Sequence, residues 1–307
     1  MREDDVSATH VPTPTEAREL IEVGIRADEI GALDRALSSF TEAAQSKEPA
    51  VAAEALARLA DVRRSRAEWD AALQASREAQ RLALQTGNAG LIAHALIAEG
   101  NVFMCRGDFS EGIALFQRVL DTSADPKMRG LALQNIGSSL AQQGQLGAAE
   151  RAFSESYGSF QRAGYPRGEA TALINLGRSA LDRGDVARAE PLLEQAVATA
   201  REAGHGELIA IATLNLAETK ARRGDLAAAH ELASVALGFF SAAENRWREI
   251  ECLRLIGSID EQGGHLDAAT ACFERGLRLA QDIGAAVETR ALTECLEQLR
   301  RGKAALR

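Results

Sequence analysis

Three asparagines recur at an interval that no local motif explains. Asn135, Asn175 and Asn215 are separated by steps of 40 residues, and each lies inside an apolar helical pattern. Asparagine is a mediocre helix former, so its repetition at one interior position calls for a role beyond propensity. A carboxamide donates and accepts together, which matches the alternating N–H and C=O groups of an extended polypeptide. The alternative is that each amide bonds to a neighbouring helix and only stiffens the structure.

Residue types that support catalysis are dispersed. The sequence has no Gly-rich phosphate loop, dinucleotide fingerprint, HExxH, GxSxG or cluster of metal ligands. His94 is interpreted as a solvated or hydrogen-bonded surface residue rather than a catalytic one. Glu218, Glu251 and Asp260 would act together only if the fold brought them close. We therefore expect no enzymatic activity, no metal and no cofactor.

Composition narrows the class of partner. The chain has 307 residues, 46% hydrophobic and only 4% aromatic, with a formal net charge of -9. Nucleic-acid binding needs a clustered basic face, and an acidic membrane surface would repel this chain. We expect a protein or peptide ligand, with no nucleic acid and no membrane, while the oligomeric state stays open.

The cysteines and the start of the chain indicate a compartment. Cys105, Cys252, Cys272 and Cys295 show no paired spacing, which predicts reduced, mostly buried thiols. No long apolar stretch and no signal-peptide pattern is present. A cytoplasmic location follows as an expectation.

A repeat of about 40 residues runs along the chain. Seven windows begin near Ala17, Ala53, Ala93, Gly130, Ala170, Ala210 and Ile250. Each holds two helical patterns divided by a turn, usually at glycine, with small residues at the eighth and twentieth positions. Such side chains let two helices touch closely, so Gly177 and Ala189 are expected to meet. Ser76, Thr213 and Ala233 depart from the pattern.

The pattern Leu-x-x-Leu-Gly, turn Gly, Ala-x-x-x-Phe-x-x-Ala includes Phe40, Phe116, Phe153 and Phe273. It resembles the tetratricopeptide repeat, and its longer form is similar to the repeats of kinesin light chain and of bacterial signalling regulators. Ala-Glu-Pro-Leu at 189–192 strengthens the resemblance, with Pro191 placed in an opening turn. The resemblance implies an all-α, right-handed α-solenoid superhelix of seven hairpins with a C-terminal capping helix.

The resulting organisation has four parts. Residues 1–15 are expected to be a disordered lead, 16–285 the repeats, 286–302 the capping helix and 303–307 a tail. The repeats are expected at about 17–52, 53–92, 93–129, 130–169, 170–209, 210–249 and 250–285. Phe239, Phe240 and Trp247 are interpreted as packing of a long second helix.

In the family that the chain resembles, certain positions of each first helix line a concave groove. The resemblance implies peptide-binding roles for Asn101, Asn135, Asn175, Asn215, Ile97, Leu131, Gln134, Ile174, Arg178, Ile211, Leu214 and Arg254. Met104 and Leu181 would complete an apolar lining. Ile21 and Ile25 stand where chaperone-binding relatives carry the Lys and Asn of a carboxylate clamp, so that class is rejected.

Two functions fit these features. The first is a non-enzymatic interaction scaffold that holds an extended peptide or protein segment in the groove. The alternative is a stand-alone peptide-sensing module of bacterial signalling, which changes shape on binding and acts through a partner effector. Neither the ligand nor the pathway is encoded legibly.

Overall fold

The computed structural model describes residues 11–305, which form fifteen α-helices and, over this range, no strand. The chain divides into two compact units, residues 1–163 and 164–307. The helices of the N-terminal unit are α1 (Pro14–Glu29), α2 (Leu33–Ala43), α3 (Pro49–Ser65), α4 (Trp69–Thr86), α5 (Ala89–Arg106), α6 (Phe109–Thr122), α7 (Pro126–Gln142) and α8 (Leu146–Ala163). Those of the C-terminal unit are α9 (Pro166–Asp182), α10 (Val186–Glu202), α11 (Gly206–Arg222), α12 (Leu226–Ala242), α13 (Arg246–Gln262), α14 (Leu266–Asp282) and α15 (Ala286–Ala305).

Both units are built from helical hairpins. Within each unit, a first helix packs against the second helix of its hairpin, and that second helix packs against the next first helix. Successive first helices also contact each other, whereas successive second helices of one unit do not over the described range. First helices therefore form the inner layer of each unit. The predicted all-α hairpin repeat is confirmed.

The hairpin turns depend on residues with positive φ. Glycine takes this left-handed conformation without a Cβ clash, and Gly184, for example, has φ +78° after α9. The hairpin turn after α3 uses Ala67 at φ 59°, and the connection between α12 and the next hairpin uses Glu244 at φ 54°. Asn245, the residue after Glu244, caps α13 by accepting a hydrogen bond from the Arg248 N–H.

Large side chains fill the space above the eighth-position glycines. A Cβ added at these glycines would lie 2.5–2.6 Å from the side chain sixteen positions later. The pairs are Gly24 with Phe40, Gly100 with Phe116, Gly137 with Phe153, Gly177 with Leu193 and Gly257 with Phe273. The nearest side chain to Gly177 is thus Leu193, rather than the expected Ala189, which is fully buried.

The two hairpins that depart from the repeat pattern change both members of this pair. Ala60 and Ala217 replace the glycine, and Ser76 and Ala233 replace the large partner. All four residues have no exposed surface. Because the extra methyl group is matched by a smaller partner, the helices still meet without a clash.

Several expected boundaries are corrected. First helices begin three or four residues before the expected repeat starts, as at Pro49 and Arg246. The expected lead at 1–15 overlaps α1, because Thr13 and Glu16 form a capping box that starts the helix at Pro14. Residues 1–10 lie outside the described range. Pro191 lies inside α10, which begins at Val186, so it removes a backbone hydrogen bond beyond the first turn.

The C-terminal helix covers the last hairpin. Leu292, Leu296 and Leu299 are buried and belong to one core cluster with Phe273. This capping role matches the expectation, although α15 continues to Ala305, beyond the predicted end at 302. None of the described helices is long and apolar enough to cross a membrane.

The cysteines, and likewise the three aromatic residues that the sequence analysis grouped together, differ in how deeply they are buried. Cys252 is buried, which raises its thiol pKa to about 12, whereas Cys105 is exposed. Phe240 packs in the core as expected, but Phe239 and Trp247 are 37% and 47% exposed.

Candidate functional site

A cavity of the C-terminal unit lies on its inner layer. It has a volume of about 530 Å³ and is formed by α11 and α13, with Arg178 contributed by α9. We call it the α11–α13 pocket. Its lining consists of Arg178, Ile211, Leu214, Asn215, Glu218, Ala221, Arg222, Arg248, Glu251, Arg254, Leu255, Ser258 and Gln262.

Helical spacing explains which side chains enter this pocket. Ile211, Leu214, Asn215 and Glu218 recur at intervals of three or four residues, so they share one face of α11. The facing side of α13 follows the same rule from Glu251 to Gln262. The polar side chains of both helices therefore converge on one cavity.

One side of the pocket is a closed ion-pair network. Glu218 accepts hydrogen bonds from Arg178 Nη1 at 2.7 Å and from Arg222 Nη2 at 2.5 Å. Arg178 also donates to Asp182 at 2.9 Å, and Arg222 Nη1 donates to the Leu181 carbonyl at 2.5 Å. The network joins α9 to α11.

The network also sets the protonation of its central arginine. Burial of Arg178 acts to lower its pKa, but the negative charges of Glu218 and Asp182 and the hydrogen bonds to them outweigh burial. The pKa of Arg178 therefore lies above its ordinary value. This guanidinium keeps its charge and stays engaged with protein carboxylates.

On the other side of the pocket, one charged side chain has no ion-pair partner. Arg248 Nη1 donates to Glu251 at 2.7 Å, one turn along α13. Arg254 is exposed on the same face, and its side chain makes no hydrogen bond or ion pair within residues 11–305. Four arginines and two glutamates line the pocket, and Asp182 outside the lining pairs with Arg178, so one positive charge remains in excess.

The predicted asparagines fall into two groups. In the N-terminal unit, Asn135 Nδ2 donates to Asn101 Oδ1 at 2.8 Å, which joins α7 to α5. This pair fits the alternative in which the Asn135 amide bonds to a neighbouring helix and stiffens the structure. In the C-terminal unit, Asn175 and Asn215 are partly buried, with no side-chain hydrogen bond inside that unit's described range.

Neighbouring positions explain this difference. Asn101 is the ninth residue of its expected repeat and meets the sixth-position Asn135 of the next repeat. The residue at the same ninth position before Asn215 is Arg178, which is already bound to Glu218 and Asp182. Asn215 therefore lines the pocket with its amide open, while Asn175 lies outside the pocket lining.

The structure buries several of the residues that were expected to form an apolar lining. Ile97 and Ile174 are 6% exposed and Leu214 is 8% exposed, because they pack into the core. Leu181 is fully buried, whereas Leu131, Gln134 and Ile211 are only partly buried. Of the twelve predicted residues, Arg178, Ile211, Leu214, Asn215 and Arg254 meet in one pocket.

Sequence reasoning missed some of the lining. Arg248, Leu255, Ser258 and Gln262 were not singled out, although they continue the helical spacing set by Glu251 and Arg254. Extending that period by one turn toward the N-terminus and two turns toward the C-terminus would have found them.

The inner layer of the N-terminal unit holds a histidine that is more enclosed than expected. His94 is 24% exposed, and its Nε2 lies 4.0 Å from Asp61. Burial lowers the His94 pKa, and Asp61 only partly opposes this shift. The described residues hold no group of three or more His, Cys, Asp or Glu able to bind a metal.

Stacked hairpins with an inner layer of first helices define an α-helical repeat protein. A family model described as tetratricopeptide repeat matches residues 128–202 and 168–242. Residues 128–242 therefore carry tetratricopeptide repeats, a fold of protein-interaction scaffolds that are generally not enzymes.

Solved structures share the fold at low sequence identity. BtubC (BKLC) from P. vanneervenii is 18% identical, with a TM-score of 0.56 over 75% of this chain and 91% of that one. A Rap protein complexed with Competence and Sporulation Factor is 14% identical, with a TM-score of 0.66 over 94% and 87%. A signal-transduction ATPase with a tetratricopeptide repeat sensor from Pyrococcus horikoshii is 14% identical, with a TM-score of 0.71 over 94% and 43%. The search of curated proteins found no match.

Proposed function

We propose that this protein is an interaction scaffold whose C-terminal unit holds an extended segment of another polypeptide in the α11–α13 pocket. The observation that carries the proposal is the Asn215 amide, which is open toward a polar cavity on the inner layer. Such an amide pairs with both groups of a peptide backbone and tolerates many side chains. This chemistry suits a scaffold that recognises an extended chain.

The contrast between the two asparagine groups supplies a matched experiment. A displayed library of random twelve-residue peptides is selected on the wild-type protein, and the affinities of recovered peptides are measured by fluorescence anisotropy. Asn175→Ala combined with Asn215→Ala should weaken these peptides at least tenfold, because each lost hydrogen bond costs about 0.5–1.5 kcal/mol. The melting temperature should stay unchanged or rise slightly, since alanine is the better helix former.

The control is Asn101→Ala combined with Asn135→Ala, which removes the amide pair of the N-terminal unit. This variant should melt earlier and keep its affinity for the selected peptides. Recovery of no peptide, or equal binding by wild type and the Asn175 and Asn215 variant, would contradict the proposal.

A second candidate function is a peptide-sensing module. The ion-pair network favours it, because Glu218 and Arg178 join α9 to α11 next to the pocket. A ligand that competes for Arg178 would break this link and loosen α9. Amide hydrogen exchange of residues 166–182 should then become faster when peptide binds. In a scaffold without this response, the exchange rate would fall or stay the same.

A further inference from the structure

We propose that the ligand carries a carboxylate and that Arg254 receives it in the α11–α13 pocket. This inference rests on the proposed function and adds the chemical class of the bound segment. Glu218 uses one oxygen for Arg178 and the other for Arg222, and Arg178 also pairs with Asp182, so the two positive and two negative charges on that side balance.

The unsatisfied charge lies on α13. Arg248 is paired with Glu251, whereas Arg254 has no carboxylate partner in the part of the chain that the structure describes. The next positions along this face are Ser258 and Gln262, which are neutral hydrogen-bonding groups. Nothing on this stretch of the lining offsets the excess positive charge. A negatively charged group on the ligand would do so.

The charges that line the site favour a carboxylate over a phosphate. A planar guanidinium binds either group through two parallel hydrogen bonds, so the acidic neighbours decide between them. A phosphate group carries nearly two negative charges and is disfavoured beside acidic residues. Glu218 and Glu251 both face this pocket, so a monoanion is the better fit.

The helix spacing also predicts where the carboxylate stands in the ligand. Asn215 lies on α11 and Arg254 lies on α13. Neighbouring helices are about 8–10 Å apart, and an extended chain advances about 3.3 Å per residue. The ligand's acidic residue should therefore lie about three residues from the residue whose backbone meets Asn215.

The test uses peptides recovered from the twelve-residue library. Each acidic residue is replaced in turn by its amide, and affinities are measured for wild type and Arg254→Gln. One acidic position should matter, and its amide form should bind wild type about tenfold more weakly. Arg254→Gln should weaken the acidic form by a similar factor and should bind both forms alike.

Arg278→Gln is the charge-matched control, because Arg278 is exposed on α14 outside the pocket lining. It should leave both affinities unchanged. If wild type binds acidic and amide forms equally, or prefers a phosphoserine at that position, the carboxylate assignment is overturned. In that case the Asn215 dependence of binding would still stand, so the two proposals fail separately.

Discussion

At the scale of single residues, one histidine couples the stability of the protein to pH. Burial lowers the pKa of His94 below its ordinary 6.5. The unfolded chain therefore takes up a proton at a higher pH than the folded protein does. The stability that neutral His94 contributes to the folded protein is fully present above pH 6.5. It is lost as the pH falls toward and through the lower pKa of His94 in the folded state.

We expect the melting temperature to fall between pH 7.5 and pH 5.5, and His94→Gln to reduce that fall. The groups facing His94 are Asp61, Arg58, Glu54 and Lys127, and their charges are unchanged by this substitution. His265→Gln is the control, because the His265 side chain is 73% exposed. An equal effect of both substitutions would contradict the assignment to His94.

A second residue-scale feature is backbone strain in a turn. Ala67 has φ 59°, where the corresponding turn residue after α9, Gly184, has φ 78°. A residue with a Cβ pays roughly 1–2 kcal/mol in this region, partly offset by the entropy cost of glycine. Ala67→Gly should therefore raise the free energy of unfolding by up to about 1 kcal/mol in urea titration.

The reverse substitution, Gly184→Ala, should lower the free energy of unfolding by a similar amount. Both substitutions change one methyl group at an open site, since a Cβ at Gly184 meets nothing within 4 Å. If both substitutions stabilise the protein, or if neither does, the φ values do not determine how these turns contribute to stability.

At the scale of helices, the sequence predicted the hairpins well because their signals are local. Small residues at fixed positions mark each hairpin, and a glycine marks the turn in all but the second, so each repeat can be recognised by itself. The complementary pairs Ala60 with Ser76 and Ala217 with Ala233 were not predicted, because each change looks like a loss when considered alone. Their compensation becomes clear only when the facing position is known.

The Gly177 and Leu193 pair tests this complementarity. A Cβ at residue 177 would lie 2.6 Å from Leu193 Cγ, so Gly177→Ala should destabilise by about 1–3 kcal/mol. Leu193→Ala alone should cost about 2–5 kcal/mol. The double variant reproduces the Ala217 and Ala233 combination of the next hairpin.

We therefore expect the double variant to be more stable than the sum of the single effects predicts. A urea double-mutant cycle measures this coupling directly. Additive losses would mean that the two side chains do not compete for the same space.

At the scale of the whole molecule, the site was only partly predictable from the sequence. Regular spacing placed Asn215, Arg178 and Arg254 on first helices, and the structure brings them to one pocket. Which charges neutralise each other depends on contacts between helices, as in the Arg178 and Glu218 pair, and spacing alone does not reveal them. For the same reason, the sequence did not predict the hydrogen bond between Asn135 and Asn101.

The central claim is that the C-terminal unit binds an extended polypeptide through its open amides. The most direct measurement follows the side-chain NH₂ signals of the asparagines by NMR, assigned with single Asn→Ala variants, during titration with a selected peptide. The account predicts saturable shifts of the Asn215 signals at the measured affinity, while the paired Asn101 and Asn135 signals stay in place. Shifts of the Asn101 and Asn135 signals with an unchanged Asn215 would contradict it.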